Sequence, residues 1–291
     1  GLIYALLSAL LFSTMNVFVK LLGTSIPAGE IAFARGLFGT VAVLIIMYMK
    51  GIHFSKEDRG LLVMRGLYGG FGMVCNFIAL VHLKLSDATI LFQMTGIFVF
   101  IFSALFLKES LPKGAGKWLA LIFAAVMIMV NPFTYESFSW YALVAILGAA
   151  LAAAAYTTIR TISKRGKHSN FEIMAYFMIT SMFAGLVATD EFVMPQGSDW
   201  FIIVIIGGIS VVAQFFLTGA FVTTNAVVAQ FLQYVGVFIS SFYGFLFFGE
   251  SLALVTVIAG IVMFISSVML SRLKEQQGLF KGGKIIEEKT K

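Results

Sequence analysis

Along this chain apolar residues come in long, nearly unbroken stretches separated by short polar gaps. A helix crossing the hydrocarbon core of a bilayer needs about 20 apolar residues, since each advances about 1.5 Å through roughly 30 Å. Ten stretches qualify: Leu2 to Leu22, Ala28 to Met49, Leu61 to Val81, Ala88 to Leu107, Gly116 to Val130, Trp140 to Ile162, Phe171 to Thr189, Asp199 to Phe221, Ala226 to Phe248 and Leu252 to Leu270. The prolines Pro27, Pro112, Pro132 and Pro195 all fall in the gaps, where a missing amide donor costs no helical hydrogen bond. The period-2 alternation of an outer-membrane barrel occurs nowhere, so the spans are expected to be helical and the fold all-α and integral to the membrane. Leu2 to Leu22 is too long for a signal h-region and lacks a basic leader, so it is expected to remain in the mature protein.

Composition agrees. Of 291 residues, 60% are hydrophobic and only 12% charged, with a mean hydropathy of +0.98. A soluble domain carries about a quarter charged residues. The single cysteine, Cys75, excludes a disulfide scaffold and a multi-thiolate metal site. A net charge of +6 would suggest nucleic acid in a soluble protein, but here the charges lie in loops, so the expected partner is the lipid bilayer and not nucleic acid.

Lysines and arginines in short loops stay on the cytoplasmic side. One face collects Lys50, Lys56, Arg59, Lys108, Lys113, Lys117, Arg160, Lys164, Arg165, Lys167 and the six basic residues of the tail from Arg272 to Lys291. The opposite face has Lys20 and Lys84 and gathers the acids Glu136, Asp190, Glu191 and Asp199. Both termini are therefore expected in the cytoplasm, in a bacterial inner membrane, with residues 272–291 a polar cytoplasmic tail.

The two halves repeat. Leu107-Lys108-Glu109-Ser110-Leu111 closes the fourth span and Phe248-Gly249-Glu250-Ser251-Leu252 the ninth, 141 positions later. Glu30-Ile31 opens the second span and Glu172-Ile173 the seventh, 142 later; Lys20 and Arg160, 140 apart, end the first and sixth. Three matches in register predict two five-helix repeats, residues 1–132 and 139–271. Each has an odd number of spans, so the second sits inverted, with Glu109 cytoplasmic and Glu250 external. Inverted repeats characterise secondary transporters, whose substrate site lies near the midplane.

With these features, the chain resembles the EamA type of the drug/metabolite transporter superfamily. Glu30-Ile31-Ala32-Phe33-Ala34-Arg35-Gly36 and Arg65-Gly66-Leu67-Tyr68-Gly69-Gly70-Phe71-Gly72-Met73 are similar to its branch of S-adenosylmethionine and organic-anion carriers. The resemblance implies alternating access through a central cavity lined by the first four spans of each half, with the fifth and tenth peripheral and forming a homodimer contact. Many members carry a proline thirteen residues before the glutamates of the fourth and ninth spans. Here those positions are Gly96 and Val237, and Val237 cannot soften its helix, so no matched pair of bends is expected.

Arg35 and Arg65 lie within spans, where a charge costs about 2.5 to 3.5 kcal/mol at the bilayer centre. Glu30 is about 140° round the helix from Arg35 and cannot form its i,i+4 partner. The repeat partners of the two arginines are Phe177 and Ile206, so the fold does not itself demand arginine there. A cationic cavity wall holding a carboxylate or phosphate is the functional reading; snorkelling to the interface is the bland one. Asn16, Asn76, Gln93, Gln214, Gln230 and Gln233, with Tyr156 and Tyr234, complete the expected substrate-binding set, interhelical glue being the alternative. Phe33, Phe71 and Phe77 are expected cavity wall. Glu30 is the one acid placed for proton coupling, although a carboxylate at a helix N-terminus is favoured in any case.

His53, His82 and His168 are read as loop residues, one per loop, with no buried histidine to serve as a catalytic base. No HExxH or GxSxG occurs, and the glycines from Gly66 to Gly72 lack the strand and lysine of a phosphate loop. The chain is thus read as no enzyme and as needing no cofactor or metal. It is expected to move a small anionic or zwitterionic metabolite, an amino acid, S-adenosylmethionine or an organic acid, driven by a gradient or exchange. The rivals are an intramembrane or lipid-modifying enzyme and a non-transporting scaffold.

Overall fold

A chain this apolar has few polar side chains to satisfy its backbone, and helices satisfy their own. The computed structural model describes residues 1–106, 113–130, 139–223, 229–230, 232–251 and 254–276, and its regular elements there are all helices. They are α1 (Leu2–Leu22), α2 (Ala28–Met49), α3 (Arg59–His82), α4 (Leu85–Phe92), α5 (Thr95–Phe106), α6 (Ala115–Val130), α7 (Trp140–Arg165), α8 (Asn170–Val187), α9 (Asp199–Thr223), α10 (Val235–Phe248) and α11 (Leu254–Gln276). Among the described residues seven spans are long and apolar enough to cross a membrane, α4 and α5 counting as one. The motif residues 107–111 with Glu109, Pro112, Pro132 and Glu136, the start of the ninth predicted span at 226–228, and the tail beyond Gln276 lie outside the described residues.

Helix ends follow local chemistry. Pro27 precedes α2 and Glu30 stands in its first turn; Ser169 caps α8 by accepting from Glu172 N at 3.1 Å. Gly166 and Gly249 end α7 and α10 in the left-handed conformation, at φ 66° and 60°, which a residue with a Cβ adopts only at a cost.

The fourth predicted span is interrupted. Gln93 N donates to Ile90 O at 3.0 Å, Gly96 N to Gln93 O at 3.0 Å and Ile97 N to Met94 O at 2.9 Å, the i to i−3 spacing of a tight 3₁₀ turn. The ninth has the same break: Gln233 N donates to Gln230 O, Gly236 N to Gln233 O and Val237 N to Tyr234 O at 3.1, 2.9 and 3.0 Å. The three bonds recur 140 residues later, one for one. The expectation that no matched bends exist is therefore corrected. The glycine matching Gly96 is Gly236, one position off the register set by the glutamates. Tightening a turn frees carbonyls, and side chains take them up. Gln93 Nε2 donates to Gln233 O at 2.8 Å, Tyr234 Oη to Gln93 O at 3.3 Å and Ser13 Oγ to Gly236 O at 3.0 Å.

α2 and α8 lie antiparallel in backbone contact. A Cβ on Gly29 would come within 2.6 Å of Ala188 O, on Gly36 within 2.5 Å of Met182 N, and on Gly185 within 2.3 Å of Phe33 N. Gly66 and Gly70 of α3 face Thr180 and Ser181 of α8. α3 also packs along α7, as α9 does along α1; α5 packs on α7 as α10 does on α1, and α6 lies on α11. Large apolar side chains such as Ile3, Val41, Ile45, Leu147, Val204 and Phe245 cover the outside, while Arg35, Arg65, Gln93, Gln214 and Gln230 are buried. Hydrocarbon imposes that inversion, because it solvates the first group and cannot solvate the second.

Candidate functional site

The breaks in α4/α5 and before α10, together with α1, α2, α3, α7 and α9, enclose a cavity of about 120 Å³. Nine of the ten residues expected to bind substrate line it: Asn16, Arg35, Arg65, Asn76, Gln93, Tyr156, Gln214, Gln230 and Gln233. Tyr234 does not. Its hydroxyl reaches Gln93 O, and it borders a second, apolar cavity of about 400 Å³ beside Phe238, Phe242 and Phe264. Of the three expected aromatic walls, only Phe77 belongs to the central cavity. Phe33 packs edge-on against Phe192 with centroids 5.6 Å apart, and Phe71 is exposed on the outer surface.

Snorkelling does not describe the arginines, since each is only 1% exposed and lines the cavity. The guanidinium carbon of Arg35 lies 5.9 Å from the ring centroid of Phe77 and 5.4 Å from that of Phe177; that of Arg65 lies 4.6 Å from Phe177. The ring faces offer partial compensation for two desolvated cations. Arg35 Nη1 also meets Met73 Sδ, a soft and weak acceptor. Beyond this, Arg35 Nε and Arg65 Nε and Nη1 have no hydrogen-bond partner among the described residues. No described Asp or Glu lines the cavity. Buried donors left in this state are stabilised by an incoming anion, and a guanidinium presents a fork that fits carboxylate. Phe177 is a cavity residue that the sequence pattern does not single out, although its register with Arg35 is visible there, because repeat position alone does not say which residues meet at the axis.

The amides serve two roles. Gln230 Nε2 donates to Gln93 Oε1 at 3.0 Å and Gln233 Nε2 to Ser8 Oγ at 2.7 Å, tying distant segments together, while Gln214 Nε2 donates to Thr218 Oγ1 at 3.2 Å one turn along α9. Gln230 Oε1 is buried with no partner among the described residues. Tyr156 stacks on Phe221 at 4.4 Å. No group of three His, Cys, Asp or Glu residues among the described residues is arranged to hold a metal.

Charged pairs occupy the two ends of the bundle. Glu30 is buried away from the central cavity and its Oε2 accepts Val193 N at 2.8 Å. At the opposite end Glu172 Oε1 accepts Ser55 N at 2.7 Å. Lys20 pairs with Glu250 at 3.1 Å, and Glu250 Oε2 also accepts Leu85 N at 2.8 Å. Arg165 pairs with Asp58, and Lys167 Nζ lies 2.5 Å from Glu57, which holds the ammonium above its usual pKa by hydrogen bonding and charge. Two histidine readings are corrected. His82 belongs to α3 and stacks on Tyr141 at 3.9 Å. His168 has a fully buried side chain, its Nδ1 2.9 Å from Glu172 Oε2 and its Nε2 3.5 Å from Asp58 Oδ2. The turn after α7 folds this ring between two carboxylates, a tertiary event that its polar sequence neighbours do not announce.

Residues 1–131 and 139–272 match the EamA-like transporter family. A pseudopaline exporter of Pseudomonas aeruginosa is 35% identical over 277 residues, covering 94% of this chain and 97% of that protein. An S-adenosylmethionine uptake transporter of Rickettsia felis is 26% identical, covering 86% and 85%, and a riboflavin transporter of Brucella anthropi 25% identical, covering 75% and 80%. One crystal structure superposes with a TM-score of 0.68 at 14% identity, covering 94% of this chain and 97% of the other, a likeness of fold alone.

Proposed function

Because this chain belongs to the EamA-like transporter family, we propose that it is a secondary transporter moving a small anionic or zwitterionic metabolite through the central cavity by alternating access. One observation carries the reading: two buried guanidinium groups, with N–H donors that have no partner among the described residues, line a cavity of about 120 Å³ among amides. Amino acids, organic acids and S-adenosylmethionine all bring the carboxylate that such a wall recognises. Relatives named for exporting pseudopaline and for taking up S-adenosylmethionine or riboflavin support small metabolites as cargo and leave direction open.

The chain is read as ten spans in two inverted repeats, with both termini cytoplasmic in a bacterial inner membrane and α6 and α11 at the periphery, available for a homodimer contact. Supporting this are the antiparallel α2/α8 pair, the exchange of partners between halves, and the matched breaks at Gln93 and Gln233. Asn16, Asn76, Gln93, Tyr156, Gln214, Gln230 and Gln233 are assigned to hydrogen-bonding the substrate, with Tyr234 behind Gln93. Glu30 is the acid proposed for proton coupling, acting from a span end on the loop at Val193.

A rival reading as an intramembrane enzyme has the buried His168 in its favour. Both its ring nitrogens face carboxylates, however, and not a nucleophile. The deciding experiment is counterflow in proteoliposomes with a panel of radiolabelled metabolites, comparing wild type with Arg35→Ala and Arg65→Ala. Flux lost from correctly folded variants supports the proposal. Unaltered flux of every anionic substrate, or transport of cationic drugs alone, would refute it.

A further inference from the structure

We infer that the preferred substrate carries two carboxylate groups together with a nitrogen-borne hydrogen-bond donor, a small amino dicarboxylate. This deepens the proposed transport function and rests on it.

The cavity contains two positive charges close together. Arg35 and Arg65 place their guanidinium carbons 5.4 and 4.6 Å from the same ring centroid, that of Phe177, so the two are at most 10 Å apart. In a medium of low dielectric two such charges repel each other, and the ring quadrupole offsets only a fraction of either. A substrate with one carboxylate compensates one guanidinium, or shares itself between both, and the site remains a net cation. Two carboxylates give both forks an acceptor, and with one amine the substrate carries a net negative charge that offsets one of the two guanidinium charges, where an amino monoacid offsets none. Donors without a partner among the described residues sit on both arginines, Nε of Arg35 and Nε and Nη1 of Arg65, so neither guanidinium is fully committed to the protein.

The rest of the lining is selective in another way. Its amides supply carbonyl oxygens and N–H groups but no charge, and no described carboxylate stands in the cavity to hold a free cation. A cationic substrate without compensating acids is therefore disfavoured. Among the described residues the lining acceptor Gln230 Oε1 is buried with no partner, while the Nε2 of the same side chain is occupied by Gln93. That oxygen calls for a donor, which an amine or secondary amine of the substrate provides without demanding an ion pair. Two guanidinium groups from α2 and α3 and an acceptor before α10, lining one cavity, thus specify a molecule that bears both acids and an N–H.

The test uses matched pairs that differ by one carboxylate, added to the detergent-purified full chain and followed by thermal unfolding and by counterflow in proteoliposomes: L-glutamate against L-glutamine, L-aspartate against L-asparagine, and succinate against succinamate. The diacid is expected to bind at least tenfold more tightly than its half-amide in each pair, and L-glutamate more tightly than glutarate. Arg35→Gln or Arg65→Gln should abolish the preference for the diacid while retaining binding of the half-amide. Gln230→Met should remove the advantage of L-glutamate over glutarate and leave that of glutarate over glutaramate. Half-amides bound as well as diacids by wild type, with anionic transport intact, would overturn the two-acid inference and leave the transport reading standing. Silence of the whole panel in both assays would overturn the inference as well, and transport confined to cations would overturn both.

Discussion

Arg35 stands against an aromatic ring from the second half of the chain: its guanidinium carbon lies 5.4 Å from the ring of Phe177, 142 positions further along. The two meet because α2 and α8 cross antiparallel in backbone contact, with Gly36 against Met182 and Gly39 against Met178 on either side of the crossing. The pair sets a buried cation against an aromatic face that holds it.

Phe177→Leu keeps apolar bulk and removes the ring shared by both arginines. It should cost about 1 to 2 kcal/mol in unfolding free energy, the scale of desolvated cation–π contacts, and weaken substrate binding severalfold. Melting curves and binding isotherms that coincide with wild type would rule the contact out as a determinant of either.

Gly36→Leu and Gly185→Val fill space that the opposing backbone already occupies, at 2.5 Å from Met182 N and 2.3 Å from Phe33 N. Backbone cannot rotate away, so the cost should exceed the roughly 1 to 3 kcal/mol typical of overpacking, and little monodisperse protein should be recovered by size-exclusion chromatography. Gly208→Ala, which meets nothing within 4 Å, should elute as wild type. Equal yields of all three would mean that the α2/α8 contact is looser than described.

Gln93→Leu removes the donor to Gln233 O and the acceptor for Gln230 Nε2, two bonds that join the paired helix breaks. Leaving those groups unsatisfied should cost about 1 to 3 kcal/mol. Transport should fall more steeply than stability, since the same side chain lines the cavity. A variant with lowered stability and normal counterflow would confine Gln93 to a packing role.

Lys20 and Glu250 form an ion pair with 15% and 12% side-chain exposure. Removing one partner strands a largely buried charge, so Lys20→Met and Glu250→Gln should each destabilise by about 1 to 3 kcal/mol, and the double variant by less than the sum. A double-mutant cycle closing at zero coupling would show that the contact is energetically idle.

Much of this protein is legible in its sequence. Span positions follow from apolar run length: α1 and α2 begin and end where hydropathy places them. The cavity residues are readable because an amide or guanidinium inside a span has nowhere else to go, and nine of ten converge on one space. Tyr234 is one residue too far, since a broken helix turns successive side chains differently from an intact one. The break itself is hidden from sequence, because a 3₁₀ turn held by Gln93, Tyr234 and Ser13 depends on partners as far as 223 residues distant in the chain.

Sequence alone settled which segments seek hydrocarbon and which residue types hydrocarbon will not tolerate, since both depend on transfer free energies carried by each side chain individually. Tertiary packing decided which of those residues face one another: Arg35 with Phe177, His168 between Asp58 and Glu172, Gly96 in register with Gly236. Such pairings are properties of two helices at once, fixed by glycine contacts and hydrogen bonds between distant segments, and no single segment contains them.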